Sequence, residues 1–74
     1  MSELVIGGTY LHYKNKKYLV TGRARHSETL EEMVIYETLH SNDLAKVWVR
    51  PAKMFLEDII TADYQGPRFR LIES

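Results

Sequence analysis

The stretch Lys17-Tyr18-Leu19-Val20-Thr21-Gly22-Arg23-Ala24-Arg25-His26 decides the fold class. Tyr18, Val20, Gly22 and Ala24 alternate with Leu19, Thr21, Arg23 and Arg25, the two-residue period of a strand with one apolar and one largely polar face. Residues 17–26 are therefore read as a strand. Residues 9–14 before it are rich in β-favouring side chains, and Asn15-Lys16 between the two runs reads as a hairpin connection. A third strand is expected over residues 33–39, where Val34, Ile35, Tyr36 and Thr38 outweigh the helix-favouring Glu31-Glu32 in front of them. The fourth, residues 46–50, is built around Trp48. Between these two, residues 40–43 carry turn chemistry, because the short side chains of Ser41-Asn42-Asp43 can bond their own backbone.

Pro51 ends the fourth strand, since it cannot donate to a ladder, and it suits the start of a helical turn over residues 52–55. Phe55, Ile59 and Ile60 have helical spacing, but the β-branched pair and Thr61 fit a short strand equally well. Gly66-Pro67 reads as a turn, and Arg68-Phe69-Arg70-Leu71-Ile72 alternates basic with apolar residues as a final strand. The expected fold is mainly β: a small SH3-like barrel or a rolled antiparallel sheet of five to six strands with one short helical turn. Rolling the sheet on itself reduces the exposed edges that invite aggregation.

The 74 residues make one domain, 1–74, with residues 1–6 expected to be poorly ordered ahead of the first strand. A chain this short buries only about 60% of its unfolded surface, so a homodimer is among the open readings. Ten Lys and Arg balance ten Asp and Glu, which removes whole-molecule attraction to nucleic acid or an anionic membrane as an argument. There is no cysteine, hence no disulfide frame, thiol catalysis or cysteine-rich metal site. The apolar runs Leu4-Val5-Ile6 and Val47-Trp48-Val49 are far too short to span a bilayer, and the acidic start Met1-Ser2-Glu3 is unlike a secretory signal. A cytoplasmic location is the default expectation.

The balanced charges are segregated. Lys14, Lys16, Lys17, Arg23 and Arg25 lie in residues 4–27 with no acid among them, whereas residues 28–43 hold five acids and no Lys or Arg. Such poles either serve as a solvated surface or pair, between two copies of the chain or between neighbouring strands.

His26-Ser27-Glu28 opens like the H-x-E half of a zinc nucleobase deaminase, but the partner half needs two cysteines that this chain lacks. His12, His26 and His40 are too scattered for a metal-ligand pattern, and no metal or cofactor is expected. His26 and Glu28 also supply the residue types of an acid–base pair, set against the plainer reading of a polar turn in which His26 caps the strand. In Trp48-Val49-Arg50-Pro51, alternation puts Trp48 and Arg50 on one face and Val47 and Val49 on the other. Two valines make the better core face. Trp48 and Arg50 are accordingly expected on a second surface, an aromatic plane beside a guanidinium, suited to stacking a ring and gripping a phosphate or carboxylate. The other register, with Trp48 in the core and Arg50 on an acid, stays open. Arg68-Phe69-Arg70 repeats the chemistry, and Tyr10, Tyr13, Tyr18, Tyr36 and Tyr64 add rings, of which Tyr10 and Tyr18, with Phe55, are expected to pack in the core.

Taken in order, Gly8-x-Tyr10-x-His12-Tyr13-Lys14, Tyr18-x-Val20, Arg25-His26-Ser27-Glu28-Thr29, Tyr36, Trp48-Val49-Arg50-Pro51, Phe55 and Pro67-Arg68-Phe69 resemble the small bacterial and phage family named domain of unknown function 1653 (DUF1653). The His-Ser-Glu-Thr and Trp-Val-Arg-Pro strings carry the resemblance. Residues 41–45 depart from it in lacking a glycine. The resemblance implies a compact β domain and no particular activity.

The leading expectation is a non-enzymatic binding module. Its ligand-binding residues would be His26, Glu28, Tyr36, Trp48, Arg50 and Arg68, with no catalytic or metal-binding residue. The candidate partners are a small anionic or aromatic ligand such as a nucleotide, single-stranded nucleic acid, or an acidic peptide. An enzyme using His26 and Glu28, and a dimerising structural subunit, are the alternatives.

Overall fold

The computed structural model describes residues 4–39 and 46–74. Among them the chain runs β1 (Thr9–His12), β2 (Lys16–Arg25), β3 (Glu32–Thr38), β4 (Val47–Pro51), α1 (Ala52–Phe55), β5 (Asp58–Ile60), β6 (Gln65–Pro67) and β7 (Phe69–Glu73). The fold is mainly β, as the alternation predicts. A five-stranded antiparallel sheet has the order β4-β3-β2-β1-β7, and β5 and β6 form a separate two-stranded ribbon. The sheet is open, with β4 and β7 at its edges. The turn expected over residues 40–43 lies outside the described residues.

β2, β3, β4 and β7 are shifted by one residue from the sequence reading, and two larger differences have local reasons. β1 stops at His12, because Asn15 takes a left-handed conformation (φ 66°) and its N–H donates to the His12 carbonyl at 2.8 Å, closing a three-residue loop over Tyr13-Lys14-Asn15. Gly66-Pro67 is part of strand β6, with Ile59 opposite Gly66. Proline is tolerated there because a two-stranded ribbon leaves one side of each strand without a ladder partner. Gly66, at φ 150°, leaves no room for a side chain: a Cβ would sit 2.9 Å from the Tyr64 hydroxyl. These changes bring the described strands to seven, one more than the upper expectation.

The alternation in β2 is interrupted. Val20 pairs with Tyr36 and Gly22 with Ile35, so Thr21 is an extra residue, a β-bulge. Beyond it the parity inverts. Gly22 and Ala24 join the outer face with Ile35 and Met33, while Arg23 sits opposite Val34 on the inner face. There the Arg23 guanidinium reaches Glu32 at 2.6 Å.

The core lies on the inner face of the large sheet: Tyr10, Val20, Val34, Tyr36 and Phe69, closed from above by Ala52 and Phe55 of α1. Val20, Val34 and Phe55 are fully buried. Ahead of β1, Leu4 rests against this core and the Val5 N–H donates to the Tyr10 hydroxyl at 3.0 Å. No helix among the described residues is long and apolar enough to cross a membrane.

Candidate functional site

The tryptophan block keeps the expected parity but presents the opposite face. Trp48 pairs with Tyr36 and Arg50 with Val34, both buried on the inner face. Val47 and Val49 are 53% and 58% exposed on the outer face. The expectation that the valines line the interior is corrected: the inner face is built of rings, and the indole packs against them where a valine would leave a gap. Trp48 and Arg50 are nonetheless only half-buried.

Arg50 is shaped by aromatic neighbours. Its guanidinium carbon lies 5.6 Å from the centre of the Phe69 ring, a cation–π contact, and its Nε donates to the Tyr36 hydroxyl at 3.4 Å. Among the described residues no carboxylate pairs with it. The terminal nitrogens of the guanidinium therefore remain available as donors for an anion.

His12 completes the arrangement, and sequence reasoning had considered it only as a metal ligand. As Tyr10 and His12 are two apart on β1, they share the inner face. His12 meets Phe69 edge-on with ring centres 4.9 Å apart. Burial, followed by the positive charges of Arg50, Arg68 and Lys14, lowers its pKa from 6.5 to about 4, so the imidazole is neutral near neutral pH. Its Nδ1 accepts the Lys14 N–H at 3.2 Å, which assigns the proton to Nε2 as a donor. Beside it, burial and the nearby Tyr36 raise the Tyr18 pKa, partly opposed by Arg50, so this phenol keeps its proton. Tyr18 and Tyr36 meet edge-on at 5.3 Å.

Of the six expected ligand-binding residues, Tyr36, Trp48 and Arg50 are brought together on neighbouring strands. Arg68 is close enough for its charge to act on His12, but it is tied down. Its Nη2 pairs with Glu57 at 2.9 Å, its N–H donates to the Glu57 carbonyl, and its own carbonyl accepts from Tyr13. Its Nε is buried without a hydrogen-bond partner among the described residues.

His26 and Glu28 lie elsewhere, at the tip of the β2–β3 hairpin. From the pairing of Val20 with Tyr36, His26 is six residues farther along the chain, roughly 20 Å at strand rise. There the imidazole is a turn element: Nδ1 accepts the N–H of Glu28 at 3.2 Å and of Thr29 at 3.4 Å. The His26 N–H donates to the Glu31 carbonyl and its carbonyl accepts from Leu30, while the Thr29 hydroxyl accepts the Glu31 N–H. The rare His-Ser-Glu-Thr string thus encodes a hairpin turn, in which Leu30 takes the left-handed conformation (φ 63°).

Fold and site together define a class: a small antiparallel β domain with an aromatic inner face and an arginine set against its rings. The sequence profile described as "Protein of unknown function (DUF1653)" matches residues 8–71, and the chain belongs to that family. It is similar to a crystal structure of a DUF1653 protein from Bordetella bronchiseptica, with 33% identity and a TM-score of 0.83 over 90% of this chain and 86% of that one. No curated protein matches the chain.

Proposed function

We propose that the chain is a binding module for an anionic ligand carrying a planar ring, of the nucleotide type, held beside the half-buried Trp48 and Arg50. The observation that supports this is Arg50: a guanidinium kept in place by Phe69 and Tyr36 and left without a carboxylate among the described residues. In this reading Arg50 takes the phosphate through its terminal nitrogens, with the Nε2–H of His12 as a neutral donor. Trp48, two residues from Arg50 on β4, is the ring placed to meet the base. Arg68 adds positive potential, reduced by its pairing with Glu57. His26 and Glu28 take no part, being committed to the hairpin tip.

The test is an amide-shift NMR titration with thymidine monophosphate, thymidine and inorganic phosphate, recorded separately. The monophosphate is expected to move the Trp48, Arg50 and His12 signals more than either fragment does. Absence of shifts there, or the same response to inorganic phosphate alone, would count against the reading.

A further inference from the structure

The rings do not end with the core. Tyr36 touches Tyr18 at 5.3 Å, Tyr18 touches His12 at 6.3 Å, His12 touches Tyr13 at 4.5 Å, and Tyr13 stacks on Tyr64 at 5.6 Å with planes 24° apart. This trail leaves the inner face, crosses the β1–β2 loop and reaches the β5–β6 ribbon. Tyr13 and Tyr64 are only half-buried, and neither belongs to the core. Cations follow the same path. Lys14 Nζ lies 5.8 Å from the centre of the Tyr13 ring, and Lys16 is the register partner of His12. Residues 4–27, which supply most of the trail, contain no acid. On the ribbon side the acids are Glu57, held by Arg68, Asp58 at the start of β5, and Asp63 beside Tyr64.

A mononucleotide at Arg50 leaves the far half of this trail unused. From the juxtaposition of the Tyr13–Tyr64 stack, Lys14 and Lys16 with the Arg50 site, we infer that the ligand is a single-stranded nucleic acid, with one nucleotide at Arg50 and Trp48 and its neighbour on the Tyr13–Tyr64 rings. Single strands expose the base faces that aromatic side chains stack, and their linked phosphates match a line of separate cations. The chain's zero formal net charge makes this contact local, so the affinity depends on rings as well as on salt. The inference rests on the nucleotide reading above and extends it.

The experiment compares thymidine monophosphate, short oligothymidylate and inorganic polyphosphate, followed by Trp48 fluorescence and NMR at two salt concentrations. Oligothymidylate is expected to bind at least about tenfold more tightly than the monophosphate, the scale of one added stacked base. Tyr64→Ala, at the end of the trail farthest from Arg50, should remove that gain and leave monophosphate binding unchanged. Lys14→Gln, at an exposed loop position, should reduce the salt dependence for the oligomer and serves as the second test if the tyrosine variant fails to fold. Equal affinity for monomer and oligomer overturns the inference and leaves the nucleotide reading standing. Polyphosphate binding as tightly as the oligomer overturns it as well, since the rings would then contribute nothing. Binding of none of the three overturns both.

Discussion

The ring of Phe55 lies flat on that of Phe69, with centres 4.0 Å apart and planes 7° apart. This stack joins α1 to edge strand β7, and Tyr10 meets Phe55 edge-on at 5.3 Å. A helix of one turn has no stability of its own, so its place depends on that contact. Phe55→Ala is expected to cost about 3–5 kcal/mol, a large part of the stability of so small a domain. A urea midpoint reduced by less than a third would show that the stack is dispensable.

Arg50→Ala should abolish monophosphate binding while lowering the melting temperature by only a few degrees. The exposed-to-half-buried cation–π contact it loses is worth about 0.5–1 kcal/mol. Arg50→Lys keeps the charge but not the fork, and should recover only part of the affinity. Calorimetry and thermal melts on the same samples separate the two effects.

His12 makes stability depend on pH with a definite sign. In the fold its pKa is about 4, against 6.5 when exposed, so between those values the unfolded chain binds more protons than the native one. Stability is therefore full above about pH 6.5, falls as the pH drops toward 4, and levels off below, as far as this group is concerned. His12→Gln should flatten that limb in denaturant titrations run across the window. An anion bound at Arg50 offsets the surrounding positive charge, so ligand should shift the His12 titration upward in NMR.

Leu30 is 64% exposed and holds a left-handed backbone, a conformation that costs a leucine about 1–2 kcal/mol. Leu30→Gly should raise stability by about 0.5–1 kcal/mol after the glycine's extra freedom in the unfolded chain is counted. His26→Ala, which leaves the Glu28 and Thr29 amides without their acceptor, should lower it by about 1 kcal/mol. Neither change should alter ligand binding. A binding defect in His26→Ala would return the hairpin tip to the site.

Val49→Thr should change stability by less than about 0.5 kcal/mol, because the side chain stands on the outer face of an edge strand. A loss on the scale of a core valine would place it inside after all.

These predictions mark where the sequence was legible. β2 and β7 were legible from their alternation, and β3 from its β-branched and aromatic content. The Trp48 block gave the right parity and the wrong side: hydropathy favours two valines over an indole and a guanidinium, but the core that had to be matched consists of aromatic rings. The Thr21 bulge was invisible, since Gly22 and Ala24 are small enough to continue the pattern on either face. Tyr36, Trp48 and Arg50 could be grouped from the strand pattern. His12 could have been added from its spacing to Tyr10 on β1, whereas its nearness to Arg50 comes from β1 and β4 lying across the same Phe69, which local sequence does not encode.

The bulge at Thr21 divides the long hairpin into two regions with different duties. Below it Val20 and Tyr36 belong to the core, with Tyr18 and Trp48 packed against it; above it the arm holds itself together through Arg23 with Glu32, Arg25 with the Leu30 carbonyl, and the His26 turn. Its length is thus decoupled from the interior. Removing or adding matched residue pairs in this arm changes how far the molecule reaches while the ring-lined core keeps its shape.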